Sequence, residues 1–337
     1  MLAFITALSG PDLTDREAAV LRATQPCGVI LFTRNAHDPR QVARLVADAQ
    51  QAIGTDVPIL IDQEGGRVQR LGPPHWRKLP PAAAYAQSFA ADPQAACAAA
   101  RAVARLTAAE LRGLGITCNC APVLDLPVAG SHQIIGDRAY GVAPQVAQVV
   151  QLGRAVAEGL MAGGVLPVIK HIPGHGRATK DSHLDLPVVT ASRAELEATD
   201  FAPFRALADL PAAMTAHVVF TALDAERPAS ISPDATAQVI RSGIGFDGLL
   251  MSDDLGMKAL LGSIPERARA VLAAGSDVAL LCSGELAETE ALAAAVPPLQ
   301  GPALARYRRA CAVIGQQQPF DAAEAQACLA GLLRAGA

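Results

Sequence analysis

No apolar run in the 337-residue chain reaches the roughly 18 to 20 residues that a membrane span requires, so none is placed. Basic clusters are missing as well. The 28 Lys and Arg are dispersed among 32 Asp and Glu, for a net charge of −4 and a pI near 6.0, which argues against nucleic acid as a partner. The opening stretch MLAFITALSGPDLTDREAAVL begins apolar but has no positively charged start. It breaks at Gly10-Pro11 into an acidic helix beginning, so it reads as a strand of the fold and not as a signal peptide. No GxGxxG follows the first strand and no P-loop occurs, so the usual nucleotide signals of an open doubly wound sheet are absent. There is no internal repeat, low-complexity tract or domain-splitting linker, and a single domain over 1–337 is expected. Seven cysteines are an odd count. Cys118 and Cys120 in GITCNCAPV lack a second Cys or His pair at zinc-ligand spacing, so they read as buried thiols of a reducing compartment, with the cytoplasm as the expected location.

What is present is alternation. Short β-prone runs recur at Phe4 to Leu8, Gly28 to Phe32, Pro58 to Ile61, Ile116 to Ala121, Val165 to Lys170, Ala212 to His217, Leu249 to Asp253 and Asp277 to Cys282. Amphipathic segments lie between them, among them Asp15 to Ala23, Pro39 to Ile53, Pro93 to Gly113, Val142 to Ala162 and Ile264 to Ala274. Strands that are apolar throughout and alternate with helices predict a parallel sheet covered on both faces. Eight such units predict a (β/α)₈ barrel, with helices at Ala303 to Ile314 and Ala322 to Arg334 completing the outer layer after about residue 302. The longest irregular stretches are 126–141 and 174–187, and long loops at a barrel's catalytic face shape or cover the site.

Polar residues gather where strands end: IDQEGGRVQR at 61–70, APVLDL at 121–126, IKHIPGHG at 169–176, TAH at 215–217 and MSDDLGM at 251–257. In a barrel those ends share one face. Asp253 and Asp254 are adjacent, so strand alternation sends at most one of them into the mouth; helix cap and catalyst are both open readings for such an Asp. Lys170 reads as a hydrogen-bond donor to a polar ligand, with a Schiff-base amine as the alternative. His171, His175, His183, His217, Asp181 and Asp253 also form a metal-ligand inventory. However, Ile-Pro-Gly between His171 and His175 cannot be the helix on which an HExxH pair sits. His217 reads as a satisfied structural residue, and His37, His75 and His132 as surface or loop residues. Asp181-Ser182-His183 places an acid two residues from an imidazole, which can fix its tautomer and leave the other nitrogen for proton transfer. Asp253 as nucleophile with His183 as acid and then base would suffice for double displacement at an acetal carbon.

The segments IDQEGGRVQRL, KHIPGHGRATKDSHLDLP, MSDDLGM, GVILFTRNAHDP and MTAHVVF together resemble the bacterial β-N-acetylhexosaminidases of glycoside hydrolase family 3. More narrowly, the chain resembles the single-domain cytoplasmic enzymes of cell-wall recycling, over about residues 1 to 315. The resemblance implies a (β/α)₈ barrel that releases terminal β-1,4-linked N-acetylglucosamine from muropeptides or GlcNAc-anhydroMurNAc fragments. It further implies retention of configuration through a covalent glycosyl-enzyme, with no cofactor and no metal. Carried over by motif, Asp253 is the nucleophile, His183 the general acid/base and Asp181 its dyad partner. Asp254 takes a capping or structural role, and Asp62, Arg70, Arg138, Lys170 and His171 bind the sugar. Tyr140 and Gly256 depart from the family's more usual Phe and bulkier residue, and neither holds an assigned role. The expected partner is a small glycan, with neither nucleic acid nor membrane, and the expected state is a monomer. A metal-dependent barrel hydrolase, a phosphorylase using the same Asp/His pair and a non-catalytic glycan-binding relative are the alternatives.

Overall fold

The computed structural model describes residues 1–182 and 184–335. Its main sheet is parallel throughout: β1 Leu2–Ala7, β2 Pro26–Leu31, β3 Ile59–Ile61, β4 Cys118–Asn119, β5 in two pieces (Leu166–Pro167 and Ile169–Ile172), β6 Ala212–Thr215, β7 Leu249–Asp254 and β8 Val278–Leu280. The two pieces of β5 are separated by Val168 alone. The first pairs with β4 (Cys118 beside Leu166) and the second with β6 (Met214 beside Lys170), so the sheet closes through them. β1 lies between β2 and β8, with Thr6 beside Val29 and Phe4 beside Ala279. The result is the predicted eight-stranded barrel, and each of its strands overlaps one of the eight runs read from sequence, extending one to two residues past it in β1, β2, β5 and β7.

The first two helices begin where the sequence supplies caps. α1 (Asp15–Thr24) carries a reciprocal Thr14/Glu17 capping box, and α2 (Pro39–Ile53) starts at Asp38-Pro39 and stops at Gly54, which takes φ +81°. α2 buries Val42, Leu45, Val46, Ala49, Ala52 and Ile53, an i, i+3, i+4, i+7 stripe that faces the strands. α3 (Ala82–Ala91), α4 (Pro93–Gly113), α5 (Val146–Ala162), α6 (Arg193–Ala198), α7 (Ala202–Ala206), a π-helix (Ala235–Ile244), α8 (Ile264–Ala273) and α9 (Leu286–Ala293) continue the outer layer. α10 (Gly301–Cys311) packs on the barrel floor, where the Tyr307 hydroxyl donates to the Cys27 carbonyl (2.9 Å), and α11 (Ala322–Ala335) packs on α4 and α3. Among the described residues no helix is long and apolar enough to cross a membrane.

Alternation along the strands separates two cores. Ile5, Ile30, Leu60, Cys118, Cys120, Val168, Met214, Met251 and Leu280 fill the barrel interior, while Val29, Ile59, Ile61, Ala213 and Leu250 face the helices. Two-residue spacing puts both thiols of the CxC pair on the inner face, buried, as expected.

Candidate active site

The mouth at the C-terminal ends of the strands holds a cavity of about 360 Å³, within the usual range for a small-molecule site. One wall starts where β3 ends. Asp62 follows Ile61, and a hairpin of Gln63–Gly65 against Val68–Gln69 turns back over the mouth. Buried Gln63 holds that hairpin: its side-chain oxygen accepts the amides of Arg70 and Leu71 (3.0 and 3.1 Å), and its amide nitrogen donates to the Leu71 carbonyl (2.8 Å). Gly65 sits at φ +106°, and a Cβ there would lie 2.2 Å from the Pro80 carbonyl, so only glycine closes this turn. From the hairpin tip Arg67 pairs with Asp137 (2.8 Å) and donates to the carbonyls of Gln133 and Ile134, which fastens the 126–141 loop and brings Arg138 to the wall.

The wall is a compact ion network. Lys170 Nζ bridges Asp62 (2.8 Å) and Glu64 (2.7 Å), Arg70 pairs with the other Asp62 oxygen (2.9 Å), and Arg138 grips Glu64 with two parallel bonds of 2.9 Å. Burial alone would raise the Asp62 and Glu64 carboxyls. Lys170, with Arg70 for Asp62 and Arg138 for Glu64, holds both below the usual range instead. Burial opposes the Lys170 charge, yet Asp62 and Glu64 push its pKa above that of a free lysine. A Schiff-base amine must lose its proton, so the Schiff-base reading fails here. Two of the three ammonium donors are committed to carboxylates, which leaves one for a ligand.

A second group stands on the turn after β4. Asp125 is fully buried; its Oδ1 accepts the backbone N–H of His171 (3.2 Å) and of His175 (2.7 Å), and its Oδ2 takes Nδ1–H of His171 (2.6 Å). Burial would push the Asp125 carboxyl up, and His171 more than offsets it. With Nδ1 committed, Nε2 is the His171 nitrogen that can meet a ligand.

Across the mouth, β7 ends in the two adjacent acids. Both Asp253 and Asp254 border the cavity, which corrects the expectation that only one would. The register against β8 shifts between Met251 and Asp254, and this irregularity breaks strict alternation. The two carboxyls differ electrically. Burial raises Asp253, but His171, His217, the Asp254 amide at 2.8 Å and Lys170 bring it below the usual carboxylate range; burial and the like charge of Asp253 push Asp254 above it. Asp254 caps no helix: α8 begins at Ile264, with Ser263 and Glu266 as its capping box. Its Oδ1 instead accepts the amides of Gly256 and Cys282, both at 2.9 Å, which is a structural role. His217 is structural as read: Nδ1 meets Ser230 (2.6 Å) and Nε2 the Asp254 carbonyl (3.1 Å). His37, His75 and His132 are exposed.

The 174–187 loop crosses the remaining side. A Cβ on Gly176 would lie 2.2 Å from the Leu126 backbone, so the loop's first limb is pressed against the 126–141 segment. Arg177 anchors it to Asp200 (2.6 Å) and Glu195 (2.9 Å), and the Ala178 carbonyl accepts from His132 N–H (2.8 Å). Asp181 accepts the amides of Leu184 and Asp185 through its carbonyl (2.9 Å each), and Asp185 pairs with Lys180 in solvent. His183, assigned from the resemblance as proton donor, lies outside the described residues.

The structure therefore gathers Asp62, Arg70, Arg138, Lys170, His171 and Asp253 around one cavity. Sequence reasoning missed Glu64 and Asp125. A signal for Glu64 exists in the sequence: the resemblance assigns three cations, Arg70, Arg138 and Lys170, to the sugar site with Asp62 as the one acid among them, and cations gathered at one site demand partners.

Comparison with known proteins agrees with this architecture. Residues 4–306 match the family model for the glycosyl hydrolase family 3 N terminal domain. A beta-hexosaminidase of Alkalilimnicola ehrlichii is 42% identical over 82% of this chain and 79% of its own length, and one of Thiobacillus denitrificans is 39% identical over 90% and 84%. The crystal structure of NagZ from Neisseria gonorrhoeae, in complex with N-trifluoroacetyl-D-glucosamine, superposes with a TM-score of 0.89 at 35% identity, covering 98% of this chain and 97% of that one. The chain belongs to glycosyl hydrolase family 3 and is a glycoside hydrolase.

Proposed function

We propose that this β-N-acetylhexosaminidase removes terminal β-1,4-linked N-acetylglucosamine from peptidoglycan-derived muropeptides by double displacement. In the first step the Asp253 carboxylate attacks the anomeric carbon, the glycosidic C–O bond breaks, and the departing oxygen takes a proton from His183. In the second, His183 takes a proton from water as that water attacks the same carbon, and Asp253 is released with the anomeric configuration retained. The observation that carries this reading is the place of Asp253: a half-buried carboxyl at the barrel mouth, held below the usual carboxylate range and lining the same cavity as Asp62, Arg70, Arg138, Lys170 and His171.

Asp62, Arg70, Arg138, Lys170 and His171 are assigned to the sugar. Charged donors and acceptors fixed on rigid strand ends suit a pyranose ring, whose hydroxyls each offer and accept hydrogen bonds. His183, with Asp181 as its partner, enters from motif resemblance, and an imidazole begins close enough to neutrality to give and retake a proton at pH 7. The muropeptide substrate also follows the resemblance. The seven cysteines are all free thiols, which favours a reducing compartment, and we assign the enzyme to the cytoplasm as a monomer that needs no metal.

The test compares p-nitrophenyl N-acetyl-β-glucosaminide with the glucoside, with and without EDTA, for the parent and Asp253→Ala. Turnover of the N-acetyl substrate alone, unchanged by EDTA and reduced at least about 10³-fold in Asp253→Ala, is expected. Equal turnover of both sugars would refute the substrate assignment, and loss to chelator would refute the metal-free mechanism.

A further inference from the structure

Ser182 turns inward from a solvated loop. It is 2% exposed, whereas Leu184 two positions on is 68% exposed and the Lys180–Asp185 pair stands in solvent. Its Oγ lies 3.1 Å from Nε2 of His175, and its carbonyl accepts Ala259 N–H at 3.3 Å. A buried hydroxyl is costly without a partner, so this contact decides whether the loop can seat here.

The imidazole that meets it is fixed from below. His175 N–H donates to Asp125 Oδ1, the oxygen that also takes His171 N–H, so the His175 backbone is tied to the buried carboxylate beneath the strand ends. Burial, with His171 beside it, pushes His175 down to about 4, so the ring is neutral near pH 7. Among the described residues its Nδ1 is buried without a partner, and the Ser182 hydroxyl is the hydrogen-bond contact of that ring. Neither side chain belongs to the Asp62–Glu64–Lys170 network or to the Asp125–His171 pair.

We propose that the His175–Ser182 hydrogen bond is a latch that sets the position of the next residue, His183, and that Ser182 and His175 are positioning residues for proton transfer to the leaving group. This rests on the reading of His183 as acid and base. Proton transfer needs heavy atoms within about 2.6 to 3.2 Å, a tolerance that a peptide-bonded neighbour anchored at both Oγ and carbonyl can supply and a free loop tip cannot. Losing the latch lowers the fraction of molecules with the acid in place. Only steps that need the proton are slowed.

The experiment measures kcat/KM for aryl N-acetyl-β-glucosaminides from the phenyl to the 2,4-dinitrophenyl leaving group, with thermal melting of each variant. Ser182→Ala is expected to slow the phenyl substrate about tenfold and the dinitrophenyl substrate less than about twofold, since a good leaving group needs little protonation. Ser182→Thr, which keeps the hydroxyl, restores the phenyl rate. His175→Gln is expected to give the Ser182→Ala pattern by removing the other partner, and it carries the test if Ser182→Ala does not fold. A uniform loss across leaving groups, or none, overturns the latch. His183→Ala separates the two claims: if it is leaving-group sensitive while Ser182→Ala is not, the latch alone is wrong. If His183→Ala is itself insensitive, the acid/base reading fails and the latch fails with it.

Discussion

Replacing Glu64 with Gln removes the carboxylate that joins two buried cations and tests whether the wall is held by charge. Glu64 is 7% exposed on its side chain, Arg138 10% and Lys170 3%, so water cannot replace the lost partner. Breaking one partner out of such a pair costs about 3 to 5 kcal/mol, because the surviving charge stays buried. For a chain of 337 residues the unfolding entropy is about 0.7 kcal/mol per kelvin, so Tm should fall by roughly 4 to 7 °C. Lys170 keeps Asp62, so the sugar-binding side loses less: kcat/KM should drop about 10- to 100-fold, corresponding to about 1.4 to 2.8 kcal/mol. The assay is a thermal melt beside steady-state kinetics for Glu64→Gln, Arg138→Gln and the double variant. Removing both partners leaves one fewer stranded charge, so the double variant should melt above the value obtained by adding the single losses. A Tm unchanged within about 1 °C in Glu64→Gln, or strict additivity in the cycle, would refute the account of the wall as coupled charges.

Two further outcomes follow from the same geometry. Asp254→Asn keeps an oxygen to accept the Gly256 and Cys282 amides, so it should cost less than about 1 kcal/mol and less than about tenfold in turnover, against a loss of at least about 10³ for Asp253→Asn. His175 has a folded pKa of about 4, below its value in the unfolded chain. The unfolded chain therefore binds the extra proton between about pH 6.5 and 4, and stability should decline by up to about 3 kcal/mol as pH falls through that window. Denaturant titrations of the parent and His175→Gln at pH 7 and 4.5 check this, and the variant should lose less. The depressed carboxyls Asp62 and Asp125 have the same sign but a lower window: their contribution is present above about pH 4 and is lost below it as they protonate.

Much of this was legible in the chain because the barrel repeats one local rule. The strand runs are apolar on both faces, several of the helices that follow carry their own start signal, and neither feature depends on distant residues. Asp38-Pro39 and Asp92-Pro93 give α2 and α4 to the residue at their starts. Helix α3 lacks such a mark: its Pro81 cap makes no side-chain bond, and the Ala-rich segment 82–91 carries no start signal of its own. Pairing across the mouth was not legible. Glu64 reaches Arg138 from 74 positions away and Asp125 reaches His171 from 46, and which acid meets which base is set by barrel closure, not by spacing in the motif. Of the capping and structural roles open to Asp254, the structure gives the structural one. The chain makes a turn after β7, and its next helix, α8, begins only at Ile264.

The central claim is that Asp253 attacks the sugar, and the direct measurement is where a trapped sugar is attached. The enzyme would be incubated with a 5-fluoro N-acetylglucosaminyl fluoride, whose intermediate forms faster than it hydrolyses, then digested and sequenced by mass spectrometry. A single N-acetyl-fluoroglycosyl adduct on the carboxylate of Asp253 is the expected result. An adduct on Asp254, or steady turnover with an inverted product and no adduct, would contradict the account.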